Sequence, residues 1–311
     1  MTKLRKCLLL IVLVPLPLIA AGIWSARETH SDELKLATWN MEWLVTPATA
    51  HAGRLACRLG KRSALPCDVV QTLARDSADL RRLAGYVREL NADVIAFQEV
   101  ENAAIAAQVF RGYRICMTNG KGLQHVGFAV RPHVPHRCVP VVEALSLQGR
   151  NRAAMSLRLA PDEPDAVELL AVHLKSGCSR EPLDADTAAC QLLQQQATVL
   201  GQWIAARSAG NQPFIVMGDL NRVAAAPQDD RFWELLHAEA FEAAAQRLPF
   251  RNCFLGQPYR QFIDHILIDR QLLPRLGAKL QRQVFSNADV VRYRLSDHCP
   301  VSVYLKMLTR H

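Results

Sequence analysis

The sequence predicts a strand-rich α/β domain, with stacked mixed sheets and helices outside them, on three observations. Short apolar runs recur along most of the chain at strand length. Two longer segments, Val70–Leu90 and Asp186–Ala206, read as helices, the first with apolar residues near the 3.6-residue period. Half of the 311 residues are hydrophobic, and no linker, repeat or low-complexity tract divides them. One large core is therefore expected.

The N-terminus is set apart from this pattern. Lys3, Arg5 and Lys6 precede an uncharged run from Cys7 to Ala26, and a polar stretch begins at Arg27. That is the layout of a secretory signal, with Ala20, Ala21 and Gly22 offering a cleavage site. An uncleaved signal-anchor is the alternative, because about 20 residues span a bilayer, although Pro15 and Pro17 would kink a permanent span. Residues 1–26 are read as signal peptide or signal-anchor, and the mature protein is expected to be secreted or periplasmic. Contact with a membrane is expected only through that segment, if it is uncleaved.

Along the remainder, Leu34–Asn40 alternates as a strand. A basic loop containing Cys57 follows from about Ala48 to Pro66. The Val70–Leu90 helix ends at Asn91, and Asp93–Phe97 is a buried strand leading to Glu99. Further strands are predicted at Tyr113–Met117, Val126–Val130, Cys138–Leu145, Ala153–Leu159 and Val167–His173. After the second long helix come a strand at Phe214–Met217, a helix at Asp230–Ala244, and strands at Phe262–Ile268 and Val301–Leu305.

Cysteine usage agrees with export. Beyond Cys7, eight cysteines remain, an even count that points to disulfides. Cys57 with Cys67 and Cys178 with Cys190 are close enough in sequence to be local pairs. No C-x-x-C pair occurs, which argues against a zinc knuckle. The formal charge of +8 favours an anionic partner such as nucleic acid or an anionic membrane face.

Polar residues repeatedly occupy the ends of the apolar runs, where a scaffold presents groups to a shared cleft. They occur in Thr38-Trp39-Asn40-Met41-Glu42, Gln98-Glu99-Val100, His173-Leu174-Lys175-Ser176-Gly177, Gly218-Asp219-Leu220-Asn221, Ile263-Asp264-His265 and Ser296-Asp297-His298-Cys299-Pro300. Singly, each is an ordinary turn former or hydrogen-bonding group. Six in one chain are harder to explain as turns. In this order the set TWNMEWL, QEV, HLKSG, GDLN, IDH and SDHCPV resembles the endonuclease/exonuclease/phosphatase superfamily, from about residue 34 to 307. The resemblance implies a four-layer α/β sandwich: two mixed β-sheets packed face to face, with helices outside and the site at one end.

It also implies roles. His298 would take a proton from water, with Asp264 accepting a hydrogen bond from its ring. Glu99 would hold Mg²⁺ or Mn²⁺, with Ca²⁺ an alternative. Asn40 would supply a neutral oxygen beside it, and Glu42 and Asp297 further carboxylates near the metal. Asp219 and Asn221 would orient the attacking water, His173 would contact the scissile phosphate, and Arg152 matches a strand-opening basic residue, with Arg150 close by. A nuclease acting on DNA or RNA is the leading reading. A phospholipid or sphingomyelin phosphodiesterase or a small-molecule phosphatase is the alternative, and the scarcity of aromatics, 6% of the chain, disfavours a membrane-acting form. The segment before Asp264 lacks a tryptophan, and apurinic-site repair is disfavoured. Full retention of the acidic and histidine positions argues against a binding protein that has lost catalysis. A monomer is expected. Because the implied Asp264–His298 contact brings their segments together, Cys253 is expected to bridge Cys299, leaving Cys116 for Cys138.

Overall fold

The alternating residues after the polar N-terminal stretch form β1 (Glu33–Leu44), longer than the predicted Leu34–Asn40 because the strand continues through Glu42 with a bulge. A computed structural model describes residues 33–223, 231–244, 249–258, 260–277 and 280–307. The predicted signal segment, residues 1–26, lies outside them.

The predicted loop from Ala48 is mostly a helix, α1 (Pro47–Arg58). Its start is fixed by Pro47 in the first turn and by the Thr46 side chain, which accepts from Thr49 N. The predicted helix from Val70 to Leu90 divides into α2 (Cys67–Leu73) and α3 (Ser77–Leu90). The break has a local cause: Asp76 and Asp79 form a capping box that starts a new helix, and Ala74 is extended. Then follow β2 (Val94–Val100), α4 (Ala103–Val109), β3 (Arg114–Met117), β4 (His125–Val130) and β5 (His136–Val142). The predicted strand to Leu145 stops at Val142, where a 3₁₀ turn begins. The chain continues through β6 (Ala154–Leu159), β7 (Val167–His173), α5 (Ala188–Ala209) and β8 (Phe214–Asp219). The segment predicted helical from Asp230 is α-helical only in α6 (Arg231–Leu235), followed by a 3₁₀ turn at Ala238–Ala240. Its end is β9 (Phe241–Ala243), which pairs with β10 (Asp264–Asp269). Backbone pairing on an open sheet edge overrides the local helical pattern there. The chain closes with β11 (Gln281–Arg282), α7 (Asn287–Arg292) and β12 (Val301–Lys306).

Two six-stranded mixed sheets result, in the orders β11-β12-β1-β2-β4-β3 and β5-β6-β7-β8-β10-β9. Residues such as Val126, Phe128, Met155, Leu157, Ala171, Met217 and Val303 fill the space between the sheets. The outer face of the first sheet packs on α3 and α4 through Leu83, Val87, Ile95, Phe97, Ile105 and Phe110. That of the second packs on α5 through Leu170, Val216, Leu193, Leu200 and Ile204. This is the four-layer sandwich expected from the motifs.

All four expected disulfides are present: Cys57–Cys67, Cys116–Cys138, Cys178–Cys190 and Cys253–Cys299, with Cα separations of 5.7, 5.8, 5.1 and 6.5 Å. Cys253 lies in a loop, where its N–H donates to Gln257 Oε1 and its carbonyl accepts from Phe285 N. Among the described residues no helix is long and apolar enough to cross a membrane.

Candidate active site

The parallel pair β1–β2 and the parallel pair β7–β8 end at the same edge of the sandwich. Register aligns their terminal residues: Asn40 opposite Gln98, His173 opposite Asp219, and Asp219 opposite Asp264. At these ends the backbone leaves regular geometry. Register shifts interrupt β1 and β2, and Glu42, Trp43, Glu99 and Asn221 all take positive φ, between 47° and 61°. Each such non-glycine residue costs about 1–2 kcal/mol. That cost is carried where bulges re-aim side chains. Gly218, at φ +150°, precedes Asp219 because a Cβ there would meet Val172 O at 2.0 Å.

The ten predicted residues form one connected network. Asn40 is fully buried, and its Nδ2 donates to Glu99 Oε1 (3.1 Å) and to Asp219 Oδ2 (3.0 Å). Its Oδ1 accepts from Glu42 N at 2.9 Å. In this structure the Asn40 Nδ2 therefore ties two carboxylates together, beside the neutral oxygen that the sequence led to expect near Glu99. Glu99 Oε2 accepts from Trp43 N and Gln124 Nε2. Asp297 N donates to Glu42 Oε2 at 2.8 Å, which joins these two carboxylates' segments.

On the other side, His298 Nδ1 lies 2.7 Å from Asp264 Oδ2, and His298 Nε2 faces Asp219 Oδ2 at 3.9 Å and Asp297 Oδ1 at 3.7 Å. The segment holding His298 is pinned to β1. Trp39 Nε1 donates to His298 O, Ser296 Oγ donates to Asn40 O, and His298 N donates to Ser296 Oγ. His173 Nε2 sits 3.6 Å from Glu99 Oε1 and 3.7 Å from Asp219 Oδ2, while its buried Nδ1 has no hydrogen-bond partner among the described residues. Asn221 N donates to Asp219 Oδ1, and its Nδ2 to Leu174 O. Arg152 lies just before β6 and spends its donors on His173 O, Leu174 O and Gln124 Oε1.

Charge states follow from burial and neighbours. Burial works against a charged His298, but the Asp264 carboxylate in contact with it, with Asp297 and Asp219 beyond, outweighs that and holds the imidazole well above its ordinary range. Burial, with Arg152, His298 and Lys175 nearby, drives His173 well below it. His173 is neutral, and its carboxylate contacts are not ion pairs. Burial pushes Asp219 up to about 7, with Asp264 adding and His298 opposing. Glu42 is likewise pushed up to about 7 by burial and by Asp297.

Among the described residues, one trio of potential ligands has its atoms within 4.8 Å of one another: Asp219, Asp264 and His298. Asp264 Oδ2 and His298 Nδ1 are already engaged with each other. Glu99, Glu42 and Asp297 offer hard carboxylate oxygens, a donor chemistry that suits a hard divalent cation; Glu42 is raised first by burial and then by Asp297, with Arg75 opposing.

Three contributors were not legible from motifs. Arg75 is buried and donates to the carbonyls of Glu42, Trp43, Arg294 and Leu295, bracing both halves of the network. Gln124 is another; Trp39 lies inside a quoted motif, but the contact of its indole with His298 O is not visible there. Arg75 lies in the break between α2 and α3, and a buried arginine carries no local signature.

No curated protein sequence matches the chain. Solved structures do. Truncated Caenorhabditis elegans TDP2 aligns with TM-score 0.57 at 15% identity, over 88% of this chain and 98% of that one. The Neisseria 3′ phosphatase NExo, bound to a product DNA hairpin, aligns with TM-score 0.58 at 14% identity, over 87% and 98%. An AP endonuclease from Archaeoglobus fulgidus aligns with TM-score 0.55 at 14% identity, over 88% and 100%. At such identities these likenesses establish the fold alone. A sequence model of the Endonuclease/Exonuclease/phosphatase family matches residues 37–298, which span every one of the ten predicted positions. The chain belongs to that family of phosphoric ester hydrolases.

Proposed function

We propose that the protein is an exported, divalent-metal-dependent phosphodiesterase that cleaves DNA or RNA, with His298 activating the attacking water. The observation that carries this reading is the buried His298–Asp264 pair at 2.7 Å, with the ring's Nε2 facing Asp219 at 3.9 Å. Asp264 orients the ring and stabilises the imidazolium formed when Nε2 takes a proton. Asp219, held by Asn221 N and Asn40 Nδ2, directs the water toward phosphorus. Neutral His173 donates to a phosphoryl oxygen without adding charge, and Arg152 positions it by holding its carbonyl.

Glu99, with Asp297 and Glu42 and with Asn40 beside them, would hold Mg²⁺ or Mn²⁺. Such an ion, when bound, supplies charge neutralisation at the phosphate and help for the leaving alkoxide. Mg²⁺ needs only one or two protein carboxylates, because it retains several waters. Arg75 is a positioning residue for this half of the site. The eight disulfide-bonded cysteines support folding in an oxidising compartment, secreted or periplasmic.

The test is hydrolysis of plasmid DNA, RNA, bis-p-nitrophenyl phosphate and sphingomyelin with Mg²⁺, Mn²⁺, Ca²⁺ or EDTA. Nucleic-acid cleavage abolished by EDTA is expected. EDTA-insensitive cleavage, or hydrolysis of the lipid alone, overturns the reading.

A further inference from the structure

We infer that Pro47–Leu73 is a strand-gripping arm, which binds the phosphates of a polynucleotide where it extends beyond the catalytic cleft. The inference rests on the nuclease reading above and adds a second binding surface to it. The arm comprises α1, the turn after it and α2, inserted between β1 and α3 and stapled by Cys57–Cys67. It has a small apolar core of its own, Val45, Ala50, Leu65, Val70 and Ala74, against which Trp43 and Leu123 pack.

Those two residues root the arm at the site. Trp43 N donates to Glu99 Oε2, and Leu123 neighbours Gln124, which bonds the same carboxylate. Trp43, Ala64 of the arm and Leu123 also line a cleft of about 1250 Å³, which reaches Gln124 and Arg152. That exceeds the roughly 300–1,000 Å³ that encloses a small ligand. An extended substrate is indicated.

The arm's charge supplies the chemistry. Arg54, Arg58, Lys61 and Arg62 are all exposed, and Arg54 and Arg58 share a helix face. None of these four side chains makes a hydrogen bond or ion pair among the described residues. Another exposed arginine, Arg137, pairs with Asp162. The arm holds a single acid, Asp68. Four unpaired cations on a cross-linked element repel one another, and phosphates relieve that while releasing counterions. Leu55 and Leu59, 44% and 58% exposed, together with the neighbouring cations, are also what a membrane-docking helix presents. Two exposed leucines make only a small apolar face, and the arm contributes Ala64 to the lining of the cleft, which favours the polynucleotide.

The experiment replaces Arg54, Arg58, Lys61 and Arg62 together by glutamine. Binding of a fluorescein-labelled 30-nucleotide DNA is measured by anisotropy in a His298→Ala background, from 50 to 200 mM salt. Four lost contacts should make the log–log salt slope shallower by about 3 and weaken binding at least tenfold at low salt. With His298 restored, turnover of bis-p-nitrophenyl phosphate should stay at the wild-type value, and melting should be unchanged. The Arg54/Arg58 and Lys61/Arg62 double variants should each lose about half of the slope change. An unchanged slope in the quadruple variant overturns the arm. So does loss of binding to phosphatidylserine vesicles with DNA affinity intact. Wild type that hydrolyses the small ester but neither binds nor cuts polynucleotide overturns both the arm and the nuclease reading. Wild type that cuts DNA, with a variant that binds as tightly, overturns the arm alone.

Discussion

His298 carries two environments on one ring: Nδ1 against a buried carboxylate, and Nε2 toward Asp219 and Asp297. Removing it should lower turnover by roughly 10² or more with the fold intact, since that is what a general base contributes. A folded His298→Ala protein with wild-type kcat is the contrary result. The raised affinity of this imidazole for protons comes from three carboxylates, Asp264 foremost. Asp264→Asn should therefore bring its titration down toward the ordinary histidine range, measured on the ring by NMR. A divalent cation should act in the same direction, because added positive charge disfavours the imidazolium. The candidate residues that the structure brings together were legible because most sit at the end of an apolar run, in a short segment of recognisable order. Arg75 and Gln124 were not, because their importance lies in contacts to residues dozens of positions away.

Elements succeed or fail in legibility for the same reason. Val167–His173 was read to the residue, since a buried central strand declares itself by an apolar run, here Leu169–Val172. The end of the segment from Asp230 was misread, because β9 exists only through its pairing with β10. The Val70–Leu90 reading missed the Asp76–Asp79 capping box, although both residues were visible in the sequence. Cross-links belong to this scale too. Cys299 adjoins His298, and its bond to Cys253 ties the entry of β12 to the loop ahead of β10, the two segments that bring His298 and Asp264 together. The Cys253→Ser/Cys299→Ser double variant should lose about 2–5 kcal/mol of stability in denaturant melts. It should also lose kcat. Retention of both would show that the bond is dispensable.

For the whole molecule, the buried ionisable groups set how stability depends on pH. Asp219 and Glu42 hold protons up to about 7 in the folded state, against ordinary values near 4 when unfolded. The native state thus binds more protons between those limits, and stability falls as pH rises through them. His298, raised above its unfolded value, continues the same trend above 6.5. His173, depressed, works the other way, but only below 6.5. The melting temperature of metal-free protein should therefore fall from pH 6.5 to 8. Saturating Mg²⁺ should flatten or reverse that fall, and a metal-free profile rising over this range would contradict the assignment.

The site's groups are divided between two sheets that share no hydrogen-bonded strand among the described residues: Asn40 and Glu99 on one, His173, Asp219 and Asp264 on the other. Nothing in the backbone ladders fixes the gap between these halves. The side chains between the sheets do, and they act as shims whose thickness sets the distance from Glu99 to Asp264. Met217, two residues before Asp219, is one such shim. A volume-conserving Met217→Leu change should cost under about 1.5 kcal/mol, yet lower kcat several-fold. Leu193→Met, in the outer layer under α5, should leave kcat alone. In this architecture alignment is the tighter tolerance, and activity goes out of adjustment well before the protein unfolds.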